Sequence, residues 1–182
     1  MFIFAIFAIY QKRFAMKKYL RKKAYAKWSA LLPKGEVYPN SMLILFDCSM
    51  PEHEKIVTTW VKKHREVFSK TAFIGLDPKN SNPQATVFPI LGKKDFTWYG
   101  SLKKDAVSRV LPDFLPDFLM VLHKKSSIAI DYLAKALPAS FKITHNPALP
   151  SSYNIILDDS RHDWSVVLKE FDTLMPKVEF VS

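Results

Sequence analysis

Apolar and polar positions follow two rhythms along this chain, and the switches between them mark out its elements. Short runs rich in apolar residues stand at 42–46, 71–76, 118–122, 141–144 and 153–157. Each is short, rich in Ile, Leu, Val or Phe, and reads as a strand buried on both faces. Between them the apolar residues recur at helical spacing. After Pro51, which suits a first helical turn, come Ile56, Val57, Trp60, Val61, His64 and then Val67 or Phe68. Residues 103–111 read as a second helix. A third is capped by Ser126 or Ser127 and runs to about Leu137. A fourth covers 163–174, with Trp164, Val167, Leu168 and Phe171 inward. Residues 87–91 read as a short strand or an extended segment, 77–83 as a loop, and 178–181 as an added edge strand. This alternation predicts an α/β fold: a single three-layer, Rossmann-like domain at 41–182, with a mainly parallel sheet of about five strands.

A different rhythm precedes that domain. From Tyr10 to Leu32 there is neither Gly nor Pro, and Lys, Arg, Ala and Leu dominate, so a helix is expected until Pro33 and Gly35 end it. Tyr10, Phe14, Tyr25, Trp28 and Leu32 share one side of its wheel, but Lys17, Lys18 and Arg21 lie on or beside that side. Such a helix lacks the clean apolar stripe of a membrane-surface anchor.

Charge sharpens the division. Of the 27 Lys and Arg, nine precede the first acidic residue, Glu36, so 18 remain against 17 Asp and Glu in the rest of the 182-residue chain. The net charge of +10 therefore belongs almost wholly to an arm spanning 1–34. The arm's candidate anion contacts are Lys17, Lys18, Arg21, Lys22, Lys23 and Lys27, and RNA or a ribonucleoprotein is the expected partner. Residues 1–9 are almost wholly apolar, too short to span a bilayer and wrongly flanked for a secretory signal. They fit docking on the body, dipping into an anionic membrane surface, or an over-long start, with Met16-Lys17-Lys18 as the true beginning.

The carboxyl ends of the expected strands are where chemistry would sit. They carry Asp47, Cys48, Asp77, His123, His145, Asp158 and Asp159. Four glycines, Gly35, Gly75, Gly92 and Gly100, are too scattered for a phosphate-binding loop or a dinucleotide fingerprint. Cys48 is the only cysteine, which excludes an internal disulfide and a cysteine-rich zinc site and fits a reducing cytoplasm. Read as a nucleophile, Cys48 would use a helix N-terminus and His53; the plainer reading is a small residue packed at a strand end. Asp47 with Asp158 or Asp159 would suit a metal-assisted phosphotransfer, against a plainer role in turns. The five histidines show no zinc spacing. A strand-end site of Asp47, His123 and Asp158 is one candidate, and Lys124, Lys125, Ser126 and Ser127 at a helix start form a second anion site. Phe96, Trp98 and Tyr99 would stack on bases or, more simply, pack in the core and at its rim.

Several stretches resemble a family of unknown function found among small Bacteroidota proteins. They are Asp95-Phe96-Thr97-Trp98-Tyr99-Gly100, similar to its Asp-Phe-x-Trp-x-Gly segment; Phe114 with Asp117-Phe118-Leu119; Ile130-Asp131-Tyr132-Leu133 through Ala139-Ser140-Phe141-Lys142-Ile143; and Tyr153-Asn154-Ile155-Ile156-Leu157. Thr144 stands where that family often has Gly. The resemblance implies no catalytic residues. The passage from Asp117-Phe118-Leu119 to Phe141-Lys142-Ile143 is also similar to the first domain of heptosyltransferase-type glycosyltransferases, which implies a fold and no activity.

The expectation is thus a cytoplasmic, non-enzymatic binding or adaptor protein, with no catalytic residue, cofactor or metal and no DNA sequence readout. A small-molecule-binding or transferase-like protein and a peripheral membrane protein stand as the alternatives, and the sequence leaves the oligomeric state open.

Overall fold

The computed structural model describes residues 16–17, 19–24, 37–77, 88–123, 127–148, 150–157 and 163–175. Among the described residues six strands are formed: β1 (Val37–Asp47), β2 (Lys70–Asp77), β3 (Ile90–Gly92), β4 (Leu115–Leu122), β5 (Phe141–Thr144) and β6 (Ile155–Ile156). Four helices connect or follow them: α1 (Pro51–Lys63), α2 (Lys104–Val110), α3 (Ile128–Ala136) and α4 (Trp164–Leu174). The strands make one sheet in the order β3-β2-β1-β4-β5-β6, and every pairing is parallel. This is the doubly wound order of the Rossmann fold, with its topological switch between β1 and β4.

Period-two alternation along the central strands builds two cores. Leu43 and Leu45 of β1, Ile74 and Leu76 of β2, and Leu119 and Val121 of β4 face α2 and α3, meeting Ala106, Val110, Ile130, Leu133 and Leu137. Met42, Ile44 and Phe46, with Phe118, Met120 and Leu122, face α1 and α4, meeting Val57, Trp60, Trp164, Val167 and Phe171. Both faces of β1 and β4 are therefore covered, which is why those strands read as unbroken apolar runs. At the amino-terminal end of the sheet, Asp172 of α4 accepts from Trp60 Nε1 at 2.8 Å and pairs with His64 Nε2 at 3.1 Å, tying α4 to α1.

The differences from the sequence expectation lie at element ends. The sheet has six strands, because the 87–91 segment contributes the short edge strand β3. The run at 153–157 keeps only two residues in the sheet. Helix α1 stops at Lys63: the His64 ring Nδ1 and its backbone N–H both reach the Trp60 carbonyl, and a turn follows. Phe68 is buried all the same. Ser127 is the N-cap of α3, but its side chain makes no capping bond; its carbonyl receives the Asp131 N–H. Asp163, by contrast, caps α4 by accepting from Ser165 N at 2.8 Å. Of the helix expected between Tyr10 and Leu32, residues 16–17 and 19–24 are helical and the rest lies outside the described residues, as do 1–9 and the proposed strand at 178–181. Among the described residues no helix is long and apolar enough to cross a membrane.

Candidate functional site

The switch between β1 and β4 places Asp47 and His123 at neighbouring strand ends, since Phe46 pairs with Leu122. Their side chains are engaged in different tasks. Asp47 Oδ1 accepts from Ser49 N at 3.0 Å and from Ser49 Oγ at 2.5 Å, while its carbonyl meets His53 Nδ1 at 3.0 Å. This is an Asx turn leading into α1, as the plainer reading of Asp47 holds. His53 in turn stacks on Trp164, with centroids 3.9 Å apart.

Cys48 lies over Gly75. A Cβ at Gly75 would stand 2.8 Å from Cys48 Sγ and 2.9 Å from Phe88, so the glycine makes room for both. Burial, reinforced by the charges of Asp77 and Asp47, pushes the thiol up to about 11. At neutral pH such a group is a protonated, weakly nucleophilic thiol, which removes the support for a thiol enzyme.

His123 belongs to a buried polar cluster on the face covered by α3. It is 3% exposed and Asp131 is wholly buried. Its Nε2 lies 3.7 Å from Asp131 Oδ1, and Tyr153 OH donates to the same oxygen at 2.6 Å. Burial, and then the Asp131 carboxylate, hold the Tyr153 hydroxyl far above the usual tyrosine range. The His145 ring, also buried, sits 6.1 Å from that of His123. The cluster joins the end of β4, the first turn of α3 and the approach to β6. A buried carboxylate is tolerated only with such partners, so the arrangement locks three elements together. Asp131 and Tyr153 were visible in the sequence as polar members of otherwise apolar segments; their sharing of one site was not.

A second region is built on the loop between β3 and α2. Buried Asp95 accepts from Gly92 N at 2.8 Å through one oxygen and from Arg109 Nη2 at 2.8 Å through the other. Its carbonyl receives the Lys103 N–H at 2.8 Å, and Phe96 bridges to Leu102 in antiparallel fashion. Thr97 and Ser101 brace the tip: the Thr97 N–H donates to the Ser101 carbonyl at 2.7 Å, and the Ser101 N–H donates to Thr97 Oγ1 at 3.0 Å. Gly100 has φ +77°, a conformation that favours glycine.

The arm docks on this tip. Arg21 Nε donates to the Tyr99 carbonyl. A Cβ on Gly100 would stand 2.9 Å from the Arg21 guanidinium, so the glycine is needed for backbone conformation and for this approach. Lys17 Nζ lies 5.9 Å from the centre of the Trp98 ring. Lys17, Leu20, Arg21 and Ala24 are half-buried, whereas Tyr19, Lys22 and Lys23 are exposed. That spacing of 17, 20, 21 and 24 is one helical face. Lys17 and Arg21 are thus turned to the body and Lys22 and Lys23 to solvent.

Of the three aromatic residues, Phe96 packs against the core, as the simpler reading holds. Tyr99 is half-buried and stands edge-on to Trp98, 5.4 Å between centroids. Trp98 itself is 64% exposed, which core packing does not explain. Exposed Lys93 and Lys94 precede the loop and exposed Lys103 and Lys104 follow it. The Asp95 and Phe96 pairings bring these two pairs together, which their separation along the chain conceals. Asp105 is the exposed acidic residue beside them.

Among the candidates named from sequence, Lys17, Arg21, Lys22, Lys23, Asp47, His123 and Ser127 fall within the described residues. Lys18, Lys27, Lys124, Lys125, Ser126 and Asp158 lie outside them. Among the described residues no group of three or more His, Cys, Asp or Glu side chains is placed to hold a metal ion. The chain matches DUF6913, a family of unknown function, over residues 12–175, and belongs to it. No curated protein and no solved structure matches the chain.

Proposed function

We propose that this chain is a non-enzymatic binding protein that holds RNA or a ribonucleoprotein surface at the corner formed by the arm and the β3–α2 loop. The observation that carries the reading is the docking of Arg21 and Lys17 on the aromatic tip of that loop. It sets the arm that carries Lys22 and Lys23 against the loop that Lys93, Lys94, Lys103 and Lys104 flank. The side chains of Lys22, Lys23, Lys93, Lys103 and Lys104 enter no salt bridge among the described residues. Lys104 opens a helix, where the dipole disfavours a cation. Cations placed this way bind phosphates by releasing counterions, without reading sequence.

The test is a salt titration of RNA binding by the full chain and by the Lys22→Ala/Lys23→Ala variant. Each lost phosphate contact should flatten the log–log slope by about 0.7 for a single strand. A variant with the parent's affinity and slope would refute the role given to the arm.

The strand order favours one other reading, a small ligand in the crevice at the β1/β4 switch. There, however, Asp47 is engaged by Ser49 and His123 adjoins Asp131. A thermal-shift screen of sugars, phosphates and nucleotides tests it, and a stabiliser that competes with RNA would overturn our preference.

A further inference from the structure

The exposed indole on the basic corner specifies what kind of nucleic acid fits. We propose that Trp98 is a base-stacking platform and that the corner takes a single strand in preference to a duplex. This rests on the reading given above and adds to it the class of polymer.

Three observations carry the inference. First, Trp98 is 64% exposed although it sits in a loop braced at its base and tip. Asp95 anchors the base through Gly92 and Arg109, Thr97 and Ser101 brace the tip, and Arg21 clamps the Tyr99 carbonyl. An aromatic ring on a braced loop loses little conformational freedom on binding. Second, the indole is contacted without being stacked on: the Tyr99 ring stands perpendicular to it at 88°, and Lys17 Nζ lies over the ring, 5.9 Å from its centroid. Neither contact is a stacked ring, and most of the Trp98 surface stays exposed. Third, exposed cations flank the loop at Lys93, Lys103 and Lys104, where a backbone threading past the indole would present its phosphates.

A π face beside a row of cations is the pattern by which single strands are held. Bases in a duplex are already stacked on one another, so a duplex would gain from the lysines but not from the indole. An acidic protein surface would likewise use the lysines without needing a ring to stack on. The loop therefore separates charge attraction, shared by all anionic polymers, from stacking, open only to unpaired bases.

The experiment compares the full chain with its Trp98→Ala and Trp98→Phe variants. The probes are a labelled single-stranded RNA oligonucleotide, the same oligonucleotide annealed to its complement, and heparin. The parent should prefer the single strand to the duplex. Trp98→Ala should weaken single-strand binding about tenfold, Trp98→Phe should restore most of it, and duplex and heparin affinities should be unchanged. The salt slope should also stay the same, because stacking releases no counterions. Equal single-strand affinity for parent and Trp98→Ala would overturn the stacking role while leaving the cationic corner standing. An equal loss on all three probes would overturn it too, by making Trp98 a structural part of the loop. A parent that binds neither RNA nor heparin would remove the underlying reading as well.

Discussion

Two regions near the carboxyl end of the sheet carry polar residues, and they use them in opposite ways. Around Asp131, at the ends of β4 and β5, the polar atoms are turned inward. Tyr153 and His123 converge on one carboxylate oxygen, and little of the cluster reaches water. Around Trp98, beyond β3, the inward polar groups are confined to the base of the loop, and an indole and several lysines are left outside. The contrast shows that a place at strand ends does not make a binding site. What matters is whether the side chains there are already engaged by the fold. The first region holds elements together, while the second is held together from below and presents a surface.

The largest effect that distinguishes them is on stability. Replacing Asp131 by Ala leaves His123 and Tyr153 without their shared partner and should cost about 3–5 kcal/mol in urea unfolding, with RNA affinity of the folded variant unchanged. A cost under about 1 kcal/mol, or a loss of RNA binding by the folded protein, would erase the distinction.

A smaller effect is a pH dependence confined to the inner region. Burial and Asp131 raise the Tyr153 hydroxyl above its unfolded value of about 10. A raised folded value means that the contribution is fully present below about pH 10 and fades as pH climbs beyond it towards the folded value. Denaturation curves taken at increasing alkalinity should therefore show a decline that is shallower in Tyr153→Phe. Identical declines in parent and variant would show that Tyr153 ionises as freely folded as unfolded.

How far the sequence discloses these regions depends on the range of the interactions. The strands of the central sheet are plain in it, because burial on both faces turns β1 and β4 into unbroken apolar runs. The strand order is not, since parallel pairing joins segments far apart in the chain. Strand β3 shows in it only as a short strand or extended segment at 87–91, because three residues after Pro89 leave a brief pattern. Asp47-Cys48-Ser49 already has the spacing of an Asx turn, so the role of Asp47 could be read locally. The docking of the arm could not. It depends on Arg21 reaching a carbonyl 78 residues away and on the missing Cβ of Gly100. The lysine corner is hidden for a related reason, because Lys93 and Lys103 become neighbours only when Asp95 and Phe96 close the loop.

On the function proposed above, the outer corner and not the strand-end cluster meets an anionic polymer. The most direct test is the salt dependence of single-stranded RNA binding by the full chain and by a Lys93→Ala/Lys103→Ala/Lys104→Ala variant. The variant should bind more weakly, with a log–log slope flatter by about 0.7 for each of these lysines that meets a phosphate. Coincident lines for parent and variant across the salt range would contradict it.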